Sequence, residues 1–283
     1  ANAFSVAEGT DAVATLTGSD AEGDSVSFNT VLSGTDAGDF TLSSSGALAF
    51  ASPIPNFEAA ADADANNVYS ITATITDGTN TSTQAITITV TDTNDNTPVL
   101  SVSTPYSVAE GTTSVGTVTS TDADANSTIT YTLSGTDAAD FDINSASGAI
   151  TFAATPDFED PADADTDNEY LLNVVASDGT NSDTEAVVVN VTAVNDNSPV
   201  FTSASSFTVA EEQTVVGSLT TTDADTGTNT VTFTTTGGAD KDAFTVTGST
   251  LAFASAPDYE AQQSYVVVVT ASDGSNTTTQ EIT

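Results

Sequence analysis

Residues 91–98 read Thr91-Asp-Thr-Asn-Asp-Asn-Thr-Pro98, and residues 192–199 read Thr192-Ala-Val-Asn-Asp-Asn-Ser-Pro199, 101 positions further on. That spacing is kept elsewhere in the chain. V-A-E ends at Glu8, Glu110 and Glu211, and a D-A-D or D-A-E string begins at Asp20, Asp122 and Asp223. A D-G pair begins at Asp77, Asp178 and Asp273. The last interval is six residues short, and the cause is local: eleven positions separate Glu58 from Tyr69 and Glu159 from Tyr170, but five separate Glu260 from Tyr265. A fixed period of this size means one folding unit repeated. The expected units are residues 1–99, 100–200 and 201–283, the third stopping before its last strand is complete.

Within a unit, Tyr69-Ser-Ile-Thr-Ala-Thr-Ile75 and Ala85-Ile-Thr-Ile-Thr-Val90 alternate apolar and polar residues, the period of a strand buried on one face. Val187-Val-Val-Asn-Val191 and Val266-Val-Val-Val-Thr-Ala271 are denser and predict strands buried on both faces or in a sandwich core. Gly-, Ser-, Asn- and Asp-rich punctuators separate these runs, and no helical period intervenes. The fold class expected is all-β, with an antiparallel sandwich in each repeat. Thirteen Phe, six Tyr and 38% hydrophobic residues at recurring positions argue against a disordered acidic chain.

The charge excludes several functions. One basic residue, Lys241, stands against forty Asp and Glu, for a formal charge of −39. Binding through nucleic-acid phosphates or an anionic membrane surface needs many Lys and Arg. Without Cys, His, Met or Trp there is no thiolate nucleophile, imidazole base, disulfide or soft-metal site. No apolar run approaches the ~18 residues of a membrane span. The chain begins at Ala1 and lacks Met, so it is expected to be a piece of a longer protein whose targeting signal and anchor lie elsewhere.

The carboxylates gather at repeating points: Glu8, Glu110 and Glu211 at the expected start of the first strand, Glu58, Glu159 and Glu260 closing the P-N-F-E, P-D-F-E and P-D-Y-E strings, and the N-D-N boundaries themselves. Asp, Glu, Asn and backbone carbonyls are the oxygen donors a hard cation takes, six to eight at a time, so these points are candidate sites for one. Solvated turns are the plain alternative, but turns call neither for Glu at a strand start nor for N-D-N-x-P.

In their order and register, V-A-E-G, P-x-F-E, T-D-T-N-D-N-T-P, D-A-D and A-S-D-G resemble the tandem repeats of cadherins, most closely the cadherin-type repeats of large bacterial surface proteins. The resemblance covers the whole chain. It implies three Greek-key, cadherin-like sandwiches in a linear array, with about three Ca²⁺ at each junction between neighbours. Carried over position by position, the first junction takes Glu8, Glu58, Asn94, Asp95, Asn96, Asp122, Asp124 and Asp178, with Asp92 as a further candidate. The second takes Glu110, Asp157, Glu159, Asn195, Asp196, Asn197, Asp223, Asp225 and Asp273. Asn56 replaces an acidic residue in the first, and Ala193 stands where the first has Asp92. Six carboxylates without Asp92 in one set and seven in the other nearly balance three divalent cations.

Two strings in the loop that the third repeat lacks, Asp62-Ala-Asp64-Ala-Asn66-Asn67 and Asp163-Ala-Asp165-Thr-Asp167-Asn168, place oxygens at every second position and are candidates for a further calcium. They are not EF-hands, since the Glu expected twelfth is Ala73 or Val174. The strings at Asp36, Asp39, Asp137, Asp140, Asp240 and Asp242 are expected to be turns. No adhesive Trp is present, which speaks against strand-exchange adhesion, and the carboxylate pairs lack the aromatic platforms of a glycosidase. The function expected is a calcium-rigidified, monomeric, non-enzymatic spacer of a bacterial adhesin at the cell surface, contacting neighbouring repeats of its own chain. The alternative is that the repeats themselves bind a polysaccharide or a like repeat on another cell.

Overall fold

The computed structural model describes residues 2–226 and 230–283. Its regular structure is β throughout, and among the described residues the helical elements are the single 3₁₀ turns Ala37–Asp39, Ala138–Asp140 and Lys241–Ala243. The second repeat shows the plan in full. One sheet runs in the order Thr130–Ser134, Glu169–Ser177, Ser182–Thr192, Tyr106–Ala109, and the facing sheet in the order Ser114–Thr117, Ala149–Phe152, Phe141–Ile143. All pairings are antiparallel except that of Tyr106–Ala109 on the long Ser182–Thr192 strand. The opening strand Val99–Ser101 pairs with Thr119–Thr121, so the start of the repeat touches one part of the sandwich before crossing to the other.

The first repeat repeats this with Ser27–Phe28, Val68–Thr76, Thr81–Thr91 and Ala3–Ala7 facing Ala12–Thr15, Ala47–Phe50 and Phe40–Leu42. The third has Thr232–Gly237, Val267–Ser272 and Thr277–Ile282 facing Val215–Ser218, Thr250–Phe253 and Phe244–Thr247. Its last strand is shorter than the eleven residues of its counterparts. Yet the bonds Thr283 N–H to Ser205 O (3.0 Å) and Phe207 N–H to Thr283 O (3.0 Å) begin the same parallel pairing that Thr87 N–H to Asn2 O begins in the first repeat.

The alternating runs form strands because their apolar positions meet across the sandwich. Tyr69, Ile71, Ala73, Ile86, Ile88 and Val90 are buried while the Thr residues between them are less so. Each core carries a ring trio, Phe40–Phe50–Tyr69, Phe141–Phe152–Tyr170 and Phe244–Phe253–Tyr265, with each Tyr edge-on to its two Phe rings. The valine-dense strand differs from the first of its two expectations, burial on both faces, and meets the second, a sandwich core. Val187, Val189 and Val191 are buried, but Val188 and Asn190 are half-exposed, because the sheet packs on one face only. Glu8 also differs: it follows the strand Ala3–Ala7 instead of starting it, and Gly9, in the left-handed region at φ 69°, turns the chain away. The acidic groups therefore sit at the strand's junction end.

Candidate metal centres at the two junctions

Glu8 is 6% exposed and ties two segments together: its Oε2 accepts the Phe57 N–H at 2.6 Å, and its Oε1 accepts the Thr93 N–H at 2.9 Å. Glu110, equally buried, does the same with Phe158 at 2.7 Å and Val194 at 2.5 Å. The P-x-F-E loop and the linker are thus fixed on one carboxylate before any ion is considered. From the next repeat, Asp124 accepts the Asn96 N–H at 3.1 Å and the Asn96 side-chain amide at 2.6 Å, and Asp122 accepts the Asp124 N–H at 3.0 Å. The D-G-T-N turn presents Asp178, whose Oδ1 accepts the N–H groups of Thr180 and Asn181 at 2.6 Å each. Asn181 reaches Asn96 O at 2.8 Å, and Asn94 reaches Asp178 O at 3.2 Å.

These contacts bring the first predicted set together as three linked groups. Glu8, Glu58 and Asp95 each offer an oxygen within 4.8 Å of the others; so do Glu58, Asp92 and Asp124, and so do Asp122, Asp124 and Asp178. Glu58 and Asp124 are shared, so the chain of groups runs from the first repeat through the linker into the second. At the second junction Glu110, Asp157 and Glu159 form one group, and Glu159, Asp196 and Asp225 another. Asn197 bonds Asp225 as Asn96 bonds Asp124, and Asp223 accepts the Asp225 N–H at 3.2 Å. The Asn195 amide lies 3.0 Å from Asp225 Oδ2 and 3.1 Å from Asp273 Oδ2.

The electrostatics are those of like charges held together without a basic partner. Burial, and then the negative charges of Glu8 and Asp124, hold the Glu58 carboxyl above its ordinary range. Burial and Glu110, then Asp225, do this to Glu159. Asp95 and Asp196 are raised in the same way, burial leading and the neighbouring Glu8 and Glu110 following. Asp273 is lowered by the N–H bonds of its turn, and Asp178 is lowered by its own against an opposing burial effect. Several buried oxygens in the clusters have no hydrogen-bond partner in the protein: Asp92 Oδ1, Asn94 Oδ1, Asp122 Oδ2 and Asp178 Oδ2 at the first junction, and both Glu159 oxygens and Asp223 Oδ2 at the second. An all-oxygen donor set of high negative charge, with buried lone pairs left over, fits a hard divalent cation.

The loop candidates are used differently. Asp62 is buried and its two oxygens accept the N–H groups of Asn66 and Asn67, while Asp163 accepts those of Asp167 and Asn168. Asp64 and Asp165 are exposed, as are Asn66 and Asp167. Sequence reasoning missed the role of Asp36 and Asp137. Each is 4% exposed and clamps the same loop to the neighbouring strand, Asp36 through Ala63 and Ser70, Asp137 through Ala164 and Leu171. In the third repeat, which lacks the loop segment, Asp240 accepts from Val266 N–H and from the Gln262 side chain in its place. The recurrence of an Asp at this place in all three repeats was the available signal.

The profile of the family described as Cadherin domain matches residues 104–193 and 205–283, more than half of the chain. Among curated proteins, Cadherin EGF LAG seven-pass G-type receptor 1 of Mus musculus is 34% identical over 168 residues, covering 54% of this chain but 5% of the receptor. The chain thus spans a small part of that relative. Among solved structures, mouse Protocadherin-24 EC1-3 superposes with a TM-score of 0.68 at 20% identity, over 100% of this chain and 96% of that one. Mouse Cadherin-23 EC22-24 gives 0.62 at 24% identity, over 99% and 93%. At these identities the solved structures speak for the fold alone, three sandwiches in tandem. On the family match, with the sandwich plan and its acidic junctions alongside, the chain belongs to the cadherin domain family.

Proposed function

We propose that the chain is a calcium-rigidified extracellular spacer, part of a large bacterial surface adhesin, whose repeats hold a binding region away from the cell. The observation that carries this is the unbroken series of carboxylate groups from Glu8 to Asp178, sharing Glu58 and Asp124 and leaving buried oxygens unpaired. Glu58 from one repeat, Asp92 from the linker and Asp124 from the next converge within 4.8 Å, so neutralising their mutual repulsion favours one relative placement of the two domains. Bound Ca²⁺ supplies that positive charge and takes the free oxygens as ligands. Glu8 and Glu110 orient the linker, and Asn96 and Asn197 orient Asp124 and Asp225. The bacterial parent is read from the sequence pattern; the mouse relative bears on the repeats alone.

Calorimetric titration of the chelator-treated protein with calcium tests this. About three ions at each junction are expected, with a melting point that rises by several degrees in millimolar calcium. An enthalpy trace without binding and an unmoved melting point would refute it.

A further inference from the structure

We propose that the two junctions are mechanically unequal: the first is the stiffer and the second the looser, because one carboxylate that spans domains at the first has its counterpart inside a single domain at the second. The inference rests on calcium binding at the junctions and concerns how this chain distributes its ligands.

With Asp92 counted, each junction has seven carboxylates: Glu8, Glu58, Asp92, Asp95, Asp122, Asp124 and Asp178 at one, and Glu110, Asp157, Glu159, Asp196, Asp223, Asp225 and Asp273 at the other. The difference lies in placement. Asp92 stands in the linker, and its Oδ2 reaches into the second repeat to accept the Ala125 N–H at 2.9 Å and the Asn126 side chain at 3.3 Å. Its Oδ1 is buried without a partner and belongs to the group with Glu58 of the first repeat and Asp124 of the second. One side chain thus joins three segments that move relative to one another when the junction bends. The matching residue at the second junction is Ala193, whose side chain offers no oxygen.

The compensating carboxylate is Asp157, where the first repeat has the neutral Asn56. Asp157 groups with Glu110 and Glu159, all three from the second repeat, and its Oδ1 accepts the Glu159 N–H at 3.1 Å. A ligand shifts an equilibrium only by its different affinity for the two states. A cation on Glu110, Asp157 and Glu159 meets the same ligands whether the third domain is aligned or bent, so it adds affinity without adding rigidity. At the first junction the corresponding charge, on Asp92, spans the interface; at the second, Glu159, Asp196 and Asp225 still join the two repeats, but with one spanning carboxylate fewer. Equal net charge therefore gives comparable calcium loading with unequal coupling to domain orientation.

The chain has no cysteine, so a single pair of spin labels can be introduced across each junction in turn. Distance distributions are recorded across a calcium titration, with bound calcium measured in parallel. The first junction is expected to narrow at roughly tenfold lower calcium than the second and to remain narrower at saturation. Asp92→Ala should broaden the first to the width of the second. Ala193→Asp should narrow the second, and Asp157→Asn should remove calcium from it with little change in width. Equal widths and midpoints with calcium bound at both junctions would overturn the inequality while leaving calcium binding intact. An Asp92→Ala protein that binds calcium and keeps its narrow distribution would do the same. If neither junction binds calcium, the spacer function falls and this inference with it.

Discussion

Glu110 and Glu159 lie in one cluster but carry different loads. Glu110 accepts two backbone N–H groups, so its loss leaves Phe158 N–H and Val194 N–H without their acceptor. Hydrogen bonds to a charged group contribute roughly 1.5–3 kcal/mol each, so the loss of two in Glu110→Ala should destabilise the second repeat by about 3–6 kcal/mol even in chelator. Glu159 has two buried oxygens without a partner and a carboxyl raised by burial and by Glu110. Glu159→Gln should therefore leave the apo protein as stable or more so, and weaken calcium binding by about tenfold or more. Urea unfolding of both variants, with and without calcium, separates the two roles, and a Glu159→Gln protein less stable than the parent in chelator would contradict the assignment. The raised carboxyls also set a pH dependence. Glu58, Glu159, Asp95 and Asp196 bind protons more tightly folded than unfolded. Their favourable contribution is complete below the unfolded values of 4.5 for Glu and 3.8 for Asp, and is lost as pH rises through the higher folded values. In chelator, the melting point should fall as pH rises above about 4; in calcium it should rise instead, since the ligands must be deprotonated. A chelator profile that rises with pH would show that repulsion within the clusters is not felt.

The strands were legible because their period of two survives in the sequence: Tyr69 to Ile75 and Ala85 to Val90 form the strands Val68–Thr76 and Thr81–Thr91 that the alternation predicts. Less legible was anything depending on contacts between distant segments. That the valine-dense strand is covered on one face follows from where the sheets pack, and composition does not encode it. Asp137 reads as a turn residue beside Asp140, yet its carboxylate accepts Ala164 N–H at 2.9 Å and Leu171 N–H at 2.7 Å, 27 and 34 residues away. The junction residues could be located from spacing and family resemblance, but their sharing could not: only the folded chain shows that Asp92 meets Ala125. Asp137→Ala should detach the acidic loop from the strand Glu169–Ser177. Two backbone N–H groups would lose a charged acceptor, a loss of about 3–6 kcal/mol, read as a lower urea midpoint and faster amide exchange at Ala164 and Leu171. Asp240→Ala should have a smaller effect, because one of its two partners is the exposed Gln262 side chain. Equal effects would mean that the loop clamp contributes nothing of its own.

A compact 28.4 kDa protein is expected to expose about 11,200 Å² of surface by the usual scaling, and this chain exposes 15018 Å². The excess agrees with three separate cores, of which the third is the smallest, and with an extended array. A compact globule of this length would have a radius of gyration near 19 Å, whereas three sandwiches of about 40 Å end to end give roughly 35 Å. Small-angle scattering in calcium should return the larger value and chelator should broaden the distribution; the smaller value in calcium would exclude a spacer. The position of the ions along the array is open to a sharper test with paired substitutions. Asp20, Asp122 and Asp223 occupy the same place in the three repeats, but only the latter two face a preceding repeat within residues 1–283. Asp20 accepts the N–H groups of its own loop neighbours Glu22 and Asp24, at 2.8 and 3.3 Å. Asp122 lies in the group with Asp124 and Asp178, and Asp124 is held by Asn96 of the linker. In a protein of these 283 residues, Asp122→Ala should remove about half of the tightly bound calcium and loosen the array at the first junction. Asp223→Ala should do so at the second. Asp20→Ala should leave both the stoichiometry and the scattering curve in calcium unchanged. If Asp20→Ala released as much calcium as Asp122→Ala, the ions would be held within single repeats, and the linker residues Asn94 to Asn96 would no longer account for the stiffness of the array.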